Sequence, residues 1–305
     1  MEMDMDTVQV EHSARMSILS EVRTILIEVV ITTIWVFATI GSQIAVSSCI
    51  EACKVPESDL SSAMADLAGG CKPPTAAIQV SLASGFTAAV TTGIAFLPRR
   101  PGTWQRQSLK VTEANSGGGQ LNPVVTLAVG IRGFMRPVQI LFYLLAHATG
   151  AVIGAFMWKT IVDFECYHEV FTMRKPMVQQ LESQLLLHAM LGLPIALVHL
   201  WAHQRLLSMG TPVLVGFAYI ASTLVGFPLI AGVGGNPLRT VGLVAVGALP
   251  AKELVAALIG ALLSGLLAAV LDLLIFGRTL WEGRNRKAEL HEEVETDSSS
   301  AAHSE

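Results

Sequence analysis

Six apolar runs limit what this chain can fold into more than any other feature of its sequence. They cover residues 18–40, 76–97, 138–160, 184–204, 212–231 and 253–276. At 1.5 Å of rise per residue, about 20 residues span ~30 Å of hydrocarbon. A chain of 305 residues has no water-soluble core large enough to hide six such helices. Charged residues make up only 14%, against ~25% in soluble proteins. Residues 73–98 and 206–238 carry no charge at all. This excludes a soluble enzyme with an ordinary solvated surface, a disordered chain and a nucleic-acid binder with a basic face. The remaining class is an all-α, polytopic membrane protein. The net charge of −4 decides little, because charges of both signs sit mostly in bounded blocks outside the apolar runs.

The basic residues set the expected orientation. With both termini in the cytoplasm, thirteen Lys and Arg lie inside, six lie outside, and Arg239 is left within a short apolar stretch. That bias predicts six spans with both ends inside. The start, MEMDMDTVQVEH, is acidic and lacks a basic lead into a short apolar stretch, so no cleaved signal peptide is expected. Residues 1–17 read as a cytoplasmic segment. Residues 277–305, polar, acidic and Ser-rich, read as a disordered cytoplasmic tail. Cys49, Cys53 and Cys71 fall in or beside the first outer loop, and Cys166 in the second. One or two disulfides are compatible with the oxidising outer face, Cys53 to Cys71 for instance, and the pairing stays open. Cys49-x3-Cys53 lacks the further ligands a zinc site wants. No metal or other cofactor is expected. Nor is an enzyme, since there is no Ser-His-Asp set, metal cluster or phosphate loop.

Two shorter apolar stretches, 122–131 and 236–249, each open on Asn-Pro. Neither is long enough to cross a bilayer, so they read as re-entrant half-helices. They also resemble each other: GGQLNPVVTLAVG at 118–130 and GVGGNPLRTVGLVAVG at 232–247. Pro suits the first helical position and Asn is a good N-cap. One stretch follows the second span and the other the fifth. The repeats 18–160 and 184–276 hold three spans each, so the second is inverted relative to the first. Inverted repeats with broken helices meeting near the midplane are a recurring transport design. The expected domain is 18–276.

These residues resemble the aquaporin, or major intrinsic protein, family, in an unorthodox form. Its two Asn-Pro-Ala motifs stand here as Asn122-Pro123-Val124 and Asn236-Pro237-Leu238. NPVVTLA is similar to the family's NPAVTLA, and NPLRTVG to its NPARSFG. Glu28-x3-Thr32-x4-Phe37-x3-Gly41-Ser42 resembles the first-helix signature. YLLAHATGAVIGA at 143–155 resembles the third helix, with His147 where Gln is usual.

The resemblance implies a six-span, aquaporin-like fold with two half-helices, passing water or small neutral solutes without a catalytic step. It implies a homotetramer in lipid, with no nucleic acid as partner. The Asn122 and Asn236 amides would donate to a passing oxygen while their acceptors cap the half-helices. Arg239 would be the constriction arginine, which excludes cations. Counting back from Asn236 gives Leu224 and Val233 as further ring positions, and aligning VSLASGF gives Ser84. That ring lacks the usual aromatic and His, which suggests a wider passage. Thr240 stands where glycerol-conducting members carry Asp, which argues against an ordinary glycerol facilitator. Residues 98–116 form an insertion relative to most members, which leaves a gating role open. Glu28 would brace the first re-entrant loop. The matching acid of the second half is replaced by His188, which could donate to a loop carbonyl. Two alternatives stand beside the channel. One is a non-conducting or gated scaffold of the same fold; the other is a proton-coupled carrier using Glu28, His188 and Asp272.

Overall fold

The computed structural model describes residues 5–52, 73–96, 119–162, 170–171, 177–178, 180–204, 210–230 and 234–276. Cys53, Cys71, Val233, the 98–116 insertion and the 277–305 tail lie outside the described residues. Among the described residues eight helices follow in order: α1 (Met5–Ala52), α2 (Pro73–Phe96), α3 (Pro123–Ile131), α4 (Pro137–Ile161), α5 (Leu181–Gln204), α6 (Thr211–Ile230), α7 (Leu238–Ala245) and α8 (Lys252–Phe276). Six of them are long and apolar enough to cross a membrane. The chain is an all-helical, multi-pass membrane protein, and α3 and α7 are the two short pieces at the Asn-Pro sites.

Proline marks several of the starts. Pro73, Pro123, Pro137 and Pro212 occupy first turns, where a missing N–H costs no hydrogen bond. The first helix is longer than its apolar run. The span itself is Glu21–Val46, but helix continues back to Met5. Residues 5–20 contain no Gly or Pro that would stop it.

Polarity is arranged for lipid rather than water. Val138, Leu141 and Leu145 form an outward stripe on α4. Glu28, Gln43, His147, Arg239 and Asp272 are buried. A polar group inside a low-dielectric bundle needs a partner there, and these residues make up the site described below.

Packing repeats itself under exchange of the two halves. Helix α1 packs on α4 as α5 packs on α8, and α1 on α2 as α5 on α6. Half-helix α3 lies on α8, and α7 on α4, so each is held mainly by the last span of the other repeat. Helices α2 and α6 meet each other across the centre. Their crossing is close: a Cβ on Gly85 would lie 2.5 Å from the Gly216 carbonyl oxygen. Small residues at such a crossing let backbones touch.

Candidate pore at the meeting of two half-helices

The first re-entrant loop, residues 119–121, is carried by Glu28 of α1. Its carboxylate accepts from the backbone N–H of Gly119, of Gln120 at 3.1 Å and of Leu121 at 3.4 Å. His147 of α4 stands behind it, with Nε2 at 3.1 Å. Because a carboxylate facing backbone N–H groups is an acceptor, His147 serves as donor. Both side chains are fully buried. Gly119 has φ +93°, and a Cβ there would meet Ala95 at 2.8 Å. Leu121 has φ 55°, a left-handed conformation that costs a non-glycine residue about 1–2 kcal/mol. Thr126, on the first turn of α3, donates to Gln120 Oε1 at 2.6 Å and so ties the loop to its helix.

The second loop is held by close backbone packing. Gly235, with φ +75°, sits so near α5 that a Cβ would lie 2.4 Å from the Leu191 carbonyl oxygen. Ser222 of α6 donates to that same carbonyl at 2.6 Å. Among the described residues of this loop, Gly234 and Gly235, His188 has no hydrogen-bond partner, and its Cβ packs where Gly260 of α8 leaves room.

The two asparagines face each other where these loops meet. Asn122 Oδ1 accepts from Val124 N–H and Asn236 Oδ1 from Leu238 N–H, both at 3.0 Å. Each acceptor thus caps its own half-helix. The amide donors cross over: Asn122 Nδ2 donates to Gly235 O and Asn236 Nδ2 to Leu121 O, both at 2.8 Å. The strained turn at Leu121 supplies the carbonyl that receives Asn236. Pro123 and Pro237 open the half-helices beside them. Val124 and Leu238 are buried in the apolar core, so the two replacements of alanine pack into the protein.

Each half-helix is also secured at its far end. Arg132, the C-cap of α3, bonds Asp272 of α8 at 2.7 Å, with both side chains buried. Lys159 of α4 donates to the carbonyl of Val246, the C-cap of α7, at 3.0 Å. A cation at each helix C-terminus complements the helix dipole.

Arg239 lies in the first turn of α7 and is 3% exposed. Its guanidinium donates to Gln43 Oε1 of α1 and lies over the Phe171 ring, 5.3 Å from the centroid. Ser84 is buried on α2. Its hydroxyl accepts from Thr223 of α6 at 3.2 Å, and its carbonyl accepts from Trp35 Nε1 at 3.2 Å. Leu224 lies on the exposed stripe of α6 with Phe217, at 43% exposure. Thr223, one residue earlier, is the side chain that α6 brings to Ser84.

Five residues here escaped the sequence reading: Trp35, Gln43, Phe171, Tyr219 and Thr223. A usable signal existed for three of them. Gln43, Tyr219 and Thr223 are polar groups within long apolar helices, where burial demands a partner.

Comparison with known proteins agrees with this arrangement at the level of a family. The model of the family described as Major intrinsic protein matches residues 107–271. No curated protein matches the chain.

Proposed function

Since the chain belongs to the major intrinsic protein family, whose members are membrane channels for water or small solutes, we propose that it conducts water and small neutral solutes passively between its two Asn-Pro half-helices. The observation that carries this reading is the crossed pair of Asn122 and Asn236. Each caps a buried half-helix and presents amide hydrogens at the point where the two N-termini converge. Each N-terminus carries roughly half a positive charge from aligned peptide dipoles. Two such ends repel a cation or a migrating proton, while a neutral oxygen can accept from the amides.

Arg239 adds a fixed positive charge one helical turn away. The ring beside it consists of Ser84, Thr223 and Arg239, with Gln43 holding the guanidinium. Leu224, on the outer stripe, contributes to the lipid face in this reading, and Val233 keeps its expected place beside Arg239. Ser84 and Thr223 are small, which favours a neutral solute beside water. The protein works as a homotetramer with a pore in each subunit, and both termini are cytoplasmic.

The test is stopped-flow light scattering on proteoliposomes, comparing water efflux with urea and glycerol uptake for wild type and Asn236→Asp. Wild-type flux above that of protein-free vesicles, lowered by the substitution, is the expected result. Folded wild-type protein without flux of any of the three would refute the channel.

A further inference from the structure

A phenol stands at the junction of the half-helices. Tyr219 of α6 is fully buried. Its ring meets Trp35 of α1 edge-on, with centroids 5.5 Å apart and planes at 61°. Its hydroxyl oxygen lies 3.3 Å from Asn236 Nδ2. Each asparagine amide has two N–H bonds. One of each is spent on the opposite loop, at Leu121 and Gly235. The second of each is what an oxygen at the junction would meet, and the phenol oxygen already meets that of Asn236.

We propose, building on the channel reading above, that Tyr219 sets the size limit and the rate of permeation, its hydroxyl occupying the place a permeant oxygen must take beside Asn236. Trp35 holds the ring there from the opposite side, so the phenol leaves its position only by turning against a packed indole. The selective step is then at the junction, beside Tyr219 and Trp35, and not at Arg239. The species that can replace a phenol oxygen is a neutral hydroxyl or water: it accepts from both amides and can receive the phenol's own proton in a hydrogen bond.

The test uses the full chain in liposomes as wild type, Tyr219→Phe and Tyr219→Ala, with water, urea and glycerol flux measured by stopped-flow. Unfolding temperature and size in detergent establish that each protein is folded. Tyr219→Phe keeps the ring against Trp35 and frees the Asn236 amide, so water flux should rise roughly fivefold, the equivalent of one net hydrogen bond. Tyr219→Ala should also admit urea and glycerol faster than wild type. An inert wild type with a conducting Tyr219→Ala would refute conduction by the wild type and leave the phenol as the group that closes the pore. Wild-type rates in folded Tyr219→Phe and Tyr219→Ala would overturn it while leaving the channel standing. Absence of flux in all three folded proteins would overturn both. If Tyr219→Ala fails to fold, the comparison of Tyr219→Phe with wild type decides.

Discussion

Glu28 does at one residue what a soluble protein would leave to water. Three backbone N–H groups of a re-entrant loop have no ladder to join, and a single carboxylate accepts from all of them. Glu28→Gln turns one oxygen into a donor that faces donors. The expected cost is about 1–3 kcal/mol for the buried groups left unsatisfied, read as a lower unfolding temperature in detergent together with reduced flux. Arg239→Val removes the fixed charge beside the junction while the half-helix ends remain. It should raise proton leak in proteoliposomes with a pH-sensitive dye inside, with water flux retained; an unchanged leak would place the cation barrier elsewhere. The burial of Glu28, Asn122, Asn236 and Arg239 was readable from the sequence because each announces a local demand: a buried acid, a cap before proline, a charge in an apolar run. The exposure of Leu224 was not, for a geometric reason. One residue along a helix turns a side chain by ~100°, which separates the buried Thr223 from the exposed Leu224. Tyr219 was passed over although a phenol inside an apolar helix needs a partner for its hydroxyl; the partner's identity came only with the fold.

At the scale of elements, the two re-entrant loops are held by different physics. The first hangs on a carboxylate; the second lies on the backbone of α5 through Gly235. Gly235→Ala should therefore be severe, since the new Cβ meets a carbonyl oxygen at 2.4 Å in a conformation that already resists L side chains. Loss of folded protein or of flux is expected, whereas His188→Gln should leave both near wild type. A strong effect of His188→Gln with a mild one of Gly235→Ala would reverse this account. At the far end of α3, Asp272→Asn leaves the Arg132 guanidinium buried without its anion. Removing one partner of a buried pair costs about 3–5 kcal/mol, and chemical unfolding should show a loss of that order. The apolar runs placed the six spans closely, because the bilayer's thickness fixes their length. They gave no warning that α1 continues back to Met5, since a helix outside the hydrocarbon is governed by propensity and not by hydropathy.

For the whole molecule, an inverted repeat makes the packing its own copy under exchange of halves. Each half-helix rests on the last span of the other repeat, so neither half builds its side of the junction alone. In the proposed topology both ends of the chain share one membrane face. Epitopes placed at either end should be protected from protease together, or cut together, in sealed vesicles; opposite responses would break the six-span topology. The central claim is that the junction of the two half-helices is a passive pore, and osmotic water permeability of wild-type proteoliposomes tests it most directly. The account predicts shrinkage faster than in protein-free vesicles, driven by the osmotic gradient alone and indifferent to an imposed pH gradient. Shrinkage no faster than in protein-free vesicles, from protein shown to be folded, would contradict it.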